Sequence, residues 1–308
     1  MNQRNIAQMA IHQFIAYASC IGASDKSCGH GPEYLRRQGL MTVLESAGLK
    51  SQWRATLSES EAHENTDQIA DLCHQLHNHT TQVCLQGDRP IVLGGDHSCA
   101  IGTWSGVHEA YRQSGPIGLI WVDAHMDSHT PETSMSGAIH GMPLACLLGH
   151  GDARLTRLNG PSRASLVPHN VSLIGVRSFE PDEARLLNDL GVHVYTMDTV
   201  HQRGLQSVYR EALLHALDGT VGYGISIDLD AIDPTHAPGV GTPEAGGLNA
   251  DILSQCLRET ERDKLLAMEI VEYNPHYDES DKTAVLVQTL LLDALSTKEL
   301  HREPTHSA

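Results

Sequence analysis

Three short clusters carry metal-ligand side chains: Gly94-Gly95-Asp96-His97-Ser98, Asp123-Ala124-His125-Met126-Asp127, and Asp228-Leu229-Asp230. Each follows an apolar run that reads as a strand: Ile91 to Leu93, Ile117 to Val122, and Tyr223 to Ile227. An extended Asp-x-His-x-Asp segment sends residues i, i+2 and i+4 to one side, so two carboxylates and an imidazole converge. Asp228 and Asp230 repeat the pattern. Taken singly, each residue has a plainer reading, because an Asp after a strand often caps the next helix and a lone His is often structural. Three strand ends, all bearing ligand types at alternating spacing, point instead to one metal site.

The predicted ligands are His97, Asp123, His125, Asp127, Asp228 and Asp230. Four carboxylates carry too much negative charge for one divalent ion. Two ions about 3.5–4 Å apart suit them, and together lower the pKa of a shared water so that hydroxide is available near neutrality. The oxygen-rich, thiolate-free set favours manganese over zinc.

These segments resemble the signatures of the arginase and agmatinase ureohydrolase family. The likeness begins at Gly29-His30-Gly31-Pro32 and runs through Gly175-Val176-Arg177, Ser226 to Pro234 and Gly241-Thr242-Pro243. It ends at Glu269-Ile270-Val271-Glu272-Tyr273-Asn274-Pro275. The loop from His129 to Pro143 is similar to arginases in its Thr-Pro-x-Thr-Ser-x-Ser-Gly-x-x-His-Gly-Met-Pro frame. The resemblance implies a three-layer αβα sandwich with a mainly parallel sheet, formed by a single catalytic domain over residues 1–308. It also implies that two manganese ions sit on the six ligands, with Asp127 among the catalytic groups, and that a metal-bridged hydroxide cleaves L-arginine to L-ornithine and urea. In the same way, Ser136 is expected at the substrate α-carboxylate, His140 as proton shuttle, Glu272 at the guanidinium, and Thr242 in the substrate pocket. The side-chain chemistry agrees. A carboxylate can hold a planar, permanently charged guanidinium through paired hydrogen bonds, and a His can protonate the leaving amine near neutral pH.

Two departures concern the amino-acid end of the substrate. His129 stands where arginases usually have Asn, and Ser178 and Glu180 replace the acidic pair that faces the α-amino group. His129 and Glu180 are therefore the candidates for that end. Agmatine or a guanidino acid such as guanidinobutyrate is the alternative substrate, and a non-catalytic metal-binding relative the remote one. Homotrimers or homohexamers are the assemblies the resemblance implies.

Positioning these residues requires alternating strands and helices, the pattern of a parallel sheet. Helical periodicity predicts helices over Asp182 to Leu190, Leu205 to Leu217, Ala250 to Thr260 after the cap candidate Asn249, and Lys282 to Leu295. Ser58 to Gln82 is polar and contains His63, His74, His77 and His79. No carboxylate cluster accompanies these histidines, so the segment reads as a solvated helix, although His74 and His77 could share a face. Residues 300–308 read as a flexible tail.

The chain has 308 residues, enough for one large α/β domain with an ample core. A net charge of −17 argues against nucleic acid as partner. No stretch is apolar enough to span a membrane and no secretory leader is apparent, so a cytoplasmic enzyme is expected. Seven cysteines without a Cys-x-x-Cys pair predict reduced thiols. Neither a Gly-x-Ser-x-Gly elbow nor an early Gly-x-Gly-x-x-Gly is present, which removes serine hydrolases and dinucleotide enzymes from consideration.

Overall fold

The structure is a computed structural model that describes residues 10–59, 65–160 and 164–296. Eight strands form: β1 His12–Tyr17, β2 Ser51–Leu57, β3 Arg89–Gly94, β4 Gly118–Val122, β5 Val171–Val176, β6 His193–Thr196, β7 Tyr223–Asp228 and β8 Leu265–Val271. All pair in parallel, in the order β2-β1-β3-β8-β7-β4-β5-β6. Every residue of β1, β4, β5 and β7 is buried. Such strands need cover on both faces, which explains why they are mostly apolar rather than alternating.

Alternation along the strands sorts the core into two layers. Ile120, Val122, Ile225 and Ile227 pack with apolar residues of helices Leu205–Leu217, Ala250–Arg258 and Lys282–Leu295. Leu119, Trp121, Val171 and Leu173 pack with those of Cys99–Tyr111, Pro143–Leu147 and Pro181–Leu190. The result is the expected three-layer αβα sandwich. Helix boundaries fall close to the sequence reading, and the Asn249 side chain caps its helix by accepting from the Ile252 N–H.

Two expectations need correction. The polar segment forms helix Asn65–Leu85, but it is not simply solvated: Ile69, Cys73 and Leu76 are buried. His74 is exposed while His77 turns inward and its Nδ1 lies 3.0 Å from Ser105 Oγ, so the two histidines share no site. His63 and the 300–308 tail lie outside the described residues. Among the cysteines, Cys20 and Cys28 form a disulfide with their Cα atoms 5.8 Å apart, while Cys73, Cys84, Cys99, Cys146 and Cys256 are free and buried. The pair's proximity depends on a turn of residues 20–28 that spacing alone does not disclose. Among the described residues, no helix is long and apolar enough to cross a membrane.

Close helix-to-sheet approach relies on glycine at a few positions. A Cβ on Gly118 would lie 1.9 Å from the Ala216 carbonyl oxygen, and one on Gly224 would lie 1.9 Å from the Trp104 ring. Gly118→Ala is therefore expected to destabilise the protein by about 1–3 kcal/mol through overpacking. Urea denaturation checks this, and an unchanged midpoint would mean that helix Leu205–Leu217 does not seat against β4 as described.

Candidate active site

The strand order brings the carboxyl ends of β3, β8, β7, β4 and β5 side by side, and the predicted site residues lie just beyond them. Open parallel sheets bind ligands at that edge. His97 follows β3, Asp123 to Asp127 follow β4, Asp228 ends β7 and Glu272 follows β8. Their backbones are held before any ligand is considered. His125 N–H donates to Asp123 Oδ1 at 2.7 Å, Asp230 N–H to Asp228 Oδ1 at 2.9 Å, and Glu272 N–H to the Gly95 carbonyl at 2.8 Å. Arg177 acts as a staple, its guanidinium donating to the carbonyls of Gly175, Ala231, Asp230, Glu244 and Ala245.

All six predicted ligands converge. His97 Nδ1 lies 3.3 Å from Asp123, 3.0 Å from Asp127 and 3.2 Å from Asp228, in each case from Oδ2. His125 Nδ1 lies 3.1 Å from Asp230 Oδ2 and 3.6 Å from Asp123 Oδ1. Two donor groups result, His97-Asp123-Asp127 and Asp123-His125-Asp230, and Asp123 belongs to both. A shared carboxylate is the layout of a binuclear centre. Apart from ion-pair contacts to the carboxylates, His97 Nδ1 is a buried nitrogen with no hydrogen-bond partner. Its opposite nitrogen faces Ser226 Oγ at 2.9 Å, so the geometry leaves one ring nitrogen for a metal.

The electrostatics fit cations equally well. Burial, then the charges of Asp230 and Asp123, pushes the Asp228 carboxyl well above its ordinary range. Burial and Asp123 raise Asp127 to about 6. Burial also opposes charge on His97, yet the carboxylates of Asp123, Asp127 and Asp228 against its Nδ1 drive its pKa well upward. A cluster that must gather protons to relieve its own repulsion gains from exchanging them for divalent ions.

Glu272 and His140 form the neighbouring pair. Glu272 has a left-handed backbone, φ 63°, and Asp127 shares that rarity at φ 46°. Strain of this kind costs about 1–3 kcal/mol and concentrates at functional sites. Glu272 Oε1 accepts from the His97 N–H at 2.9 Å and lies 3.1 Å from His140 Nδ1. Both residues face a cavity of about 120 Å³ that is also lined by Ala23, Asp25, Cys28, Thr242 and Asn274. Burial works against charge on His140, but its hydrogen bond to Glu272 and the charges of Glu272, Asp96 and Asp127 prevail, raising its pKa to about 9.

A model of the arginase family matches residues 14–296. The chain belongs to the arginase family. It is 37% identical to the arginase of Bacillus caldovelox over 284 residues, covering 88% of this chain and 93% of that protein. Among solved structures, the Bacillus cereus arginase superposes with a TM-score of 0.87 at 33% identity, covering 94% of this chain and 99% of that one. The Entamoeba histolytica arginase, solved in complex with L-ornithine, gives 0.85 at 30% identity and covers 92% and 98%.

Within the arginase fold, the remaining predicted residues are placed less uniformly. His129 Nε2 lies 2.9 Å from Glu180 and 3.4 Å from Glu183, while its Nδ1 lies 3.1 Å from Thr133 Oγ1. Thr242 donates to Asp230 Oδ2 at 3.0 Å and also lines the Glu272 cavity. Ser136 is exposed and lines a separate polar cavity with Gly22, Lys26 and Thr66. Sequence reading missed Glu183, a buried carboxylate that accepts from the N–H groups of Ser128 and Glu180 and is raised by burial to about 8. Its signal was the Glu three residues after Glu180, the second half of a capping box. Glu244, 3.9 Å from His125 Nε2, had no local signal.

The charge geometry makes metal removal a stability test. Purified protein is expected to hold two divalent ions, and chelation should lower its melting temperature as the four carboxylates lose their counter-charge. Elemental analysis finding one ion or none, or a melting temperature indifferent to chelator, would refute the binuclear centre.

Proposed function

We propose that the protein is a manganese-dependent arginase that hydrolyses L-arginine to L-ornithine and urea. The observation that carries this reading is the juxtaposition of a two-site donor cluster with Glu272, whose carboxylate lines a cavity of about 120 Å³ and lies 3.1 Å from His140 Nδ1. The oxygen-rich donor set supports manganese. The arginase-like loop frame from Thr130 to Pro143, together with relatives named arginase, one of them crystallised with ornithine, supports arginine as substrate.

Held by His97, Asp123, His125, Asp127, Asp228 and Asp230, two divalent cations would lower the pKa of a bound water enough to supply a nucleophile near neutral pH. The protein's own groups do the rest. Glu272 Oε1 is engaged by His97 and His140; among the described residues Oε2 has no hydrogen-bond partner, which leaves it to hold the guanidinium. The water's first proton leaves for solvent. As the urea C=O forms, Asp127 accepts the remaining hydroxyl proton while His140, its pKa raised to about 9, delivers a proton to the leaving nitrogen, so the carbon–nitrogen bond breaks to give urea and the neutral ornithine amine. His129, Glu180 and Ser136 meet the amino-acid end, with Thr242 lining the cavity. The reading also takes the chain as one catalytic domain that acts in the cytoplasm as a homotrimer or homohexamer.

Glu272→Gln keeps shape but removes the charge that faces the guanidinium, so KM should rise and kcat fall together. His140→Asn should mainly lower kcat, by roughly 10²–10⁴-fold. Steady-state urea release measures both, and a fully active Glu272→Gln enzyme would displace the guanidinium from this cavity.

Substrate choice is tested by urea release from manganese-loaded protein with arginine, agmatine, guanidinobutyrate, guanidinopropionate and guanidine. Buried polar partners penalise a ligand that leaves them unpaired, so agmatine should have a far lower kcat/KM than arginine. Glu180→Gln should weaken arginine selectively and spare guanidino acids without an α-amino group. A wild-type preference for agmatine, or an equal loss on every substrate, would retain a ureohydrolase and discard the arginase.

A further inference from the structure

Strand β8 buries a carboxylate, Glu269, in the middle of the apolar run Leu-Leu-Ala-Met-Glu-Ile-Val, with no exposed surface. An ionised group there costs several kcal/mol of desolvation unless strong partners answer it. No Lys or Arg pairs with it among the described residues. Its partners are donors instead: Trp104 Nε1–H at 2.5 Å and the Ser226 hydroxyl at 2.7 Å, both to Oε1, and the Cys99 thiol at 3.9 Å to Oε2. Ser226 stands directly beside it on β7 in register. On its other side, Ser226 Oγ lies 2.9 Å from His97 Nε2.

The direction of this chain of hydrogen bonds has a chemical result. A serine hydroxyl has one proton. Once that proton is committed to Glu269, Ser226 Oγ can only accept from His97, so Nε2 must carry a hydrogen. The neutral imidazole then keeps its lone pair on Nδ1, the buried nitrogen that faces Asp123, Asp127 and Asp228. Without the carboxylate, the hydroxyl is free to turn and donate to Nε2. That would favour the opposite tautomer, whose Nδ1–H cannot ligate. Trp121 fixes the ring plane, stacking on His97 with centroids 4.2 Å apart.

We propose that Glu269 is a positioning residue for metal binding, acting through Ser226 to hold His97 in its ligating tautomer. The inference rests on the binuclear reading of the site. It is tested by measuring manganese affinity, by calorimetry and by electron paramagnetic resonance of free Mn²⁺, in wild type, Glu269→Leu, Glu269→Gln and Ser226→Ala. In Glu269→Leu one of the two ions should bind about 10–100-fold more weakly, the size typical of lost outer partners, and the other within twofold of wild type. Glu269→Gln should restore near-normal affinity, because its amide oxygen still accepts from Ser226 and Trp104. Ser226→Ala should reproduce the selective loss. If Glu269→Leu fails to fold, Ser226→Ala decides alone. Affinities within twofold for both ions, or equal weakening of both, overturn the proposal, the latter because a merely structural residue would act on the whole cluster. Fewer than two ions in wild type overturns the binuclear reading and this inference with it.

Discussion

Repulsion among four carboxylates at the ends of two adjacent strands is the constraint around which this molecule is organised. Asp123 and Asp127 close β4, Asp228 and Asp230 close β7, and β4 and β7 are hydrogen-bonded neighbours. Burial multiplies the repulsion, because the low-dielectric interior screens like charges poorly. Two imidazoles, from His97 and His125, are wedged between the carboxylates. Backbone N–H groups of His125 and Asp230 point at carboxylate oxygens as well. The cluster still raises Asp127 and Asp228, which is the physical sense in which it is built for cations.

The surrounding sheet supplies the rigidity that such a cluster needs. A site repelled from within would spread if carried on loops alone, whereas here the four carboxylates and His125 lie within a few residues of the fully buried strands β4 and β7. Arg177 adds a second restraint. Its guanidinium donates to five carbonyls from three segments, which ties the end of β5, the loop after β7 and the 244–245 turn together. Left-handed backbone at Asp127 and Glu272 is tolerated because neighbouring segments fix it, as in the 2.8 Å bond from Glu272 N–H to Gly95.

The opposite wall of the cavity is held by different means. The turn from Cys20 to Cys28 is closed by a disulfide and touches the site at two points: Gly22 N–H donates to Asp96 Oδ2 at 2.7 Å, and the Gly22 carbonyl accepts from His140 N–H at 3.2 Å. His140 is thus placed by a segment more than a hundred residues earlier in the chain. Farther along the same edge, Glu180 is mostly exposed and paired with His129, while Glu183 beside it is buried.

The six residues that converge at the strand ends, the parallel sheet and four of its helices were legible in the sequence because each has a local cause. Strand ends project alternate residues to one side, and apolar period and caps such as Asn249 mark helices. Which residues act behind them was not local. Glu269 reads as an oddity in an apolar strand until the β7–β8 register sets it beside Ser226 and, through it, His97. His77 reads as a solvated residue until the helix from Asn65 turns it toward Ser105. Cys20 and Cys28 read as two thiols until a turn brings them together. Residue type and spacing determined what chemistry was available. Only tertiary structure decided which groups stand within hydrogen-bonding distance, because that depends on strand order and helix rotation, properties of the assembled sheet that no single segment encodes.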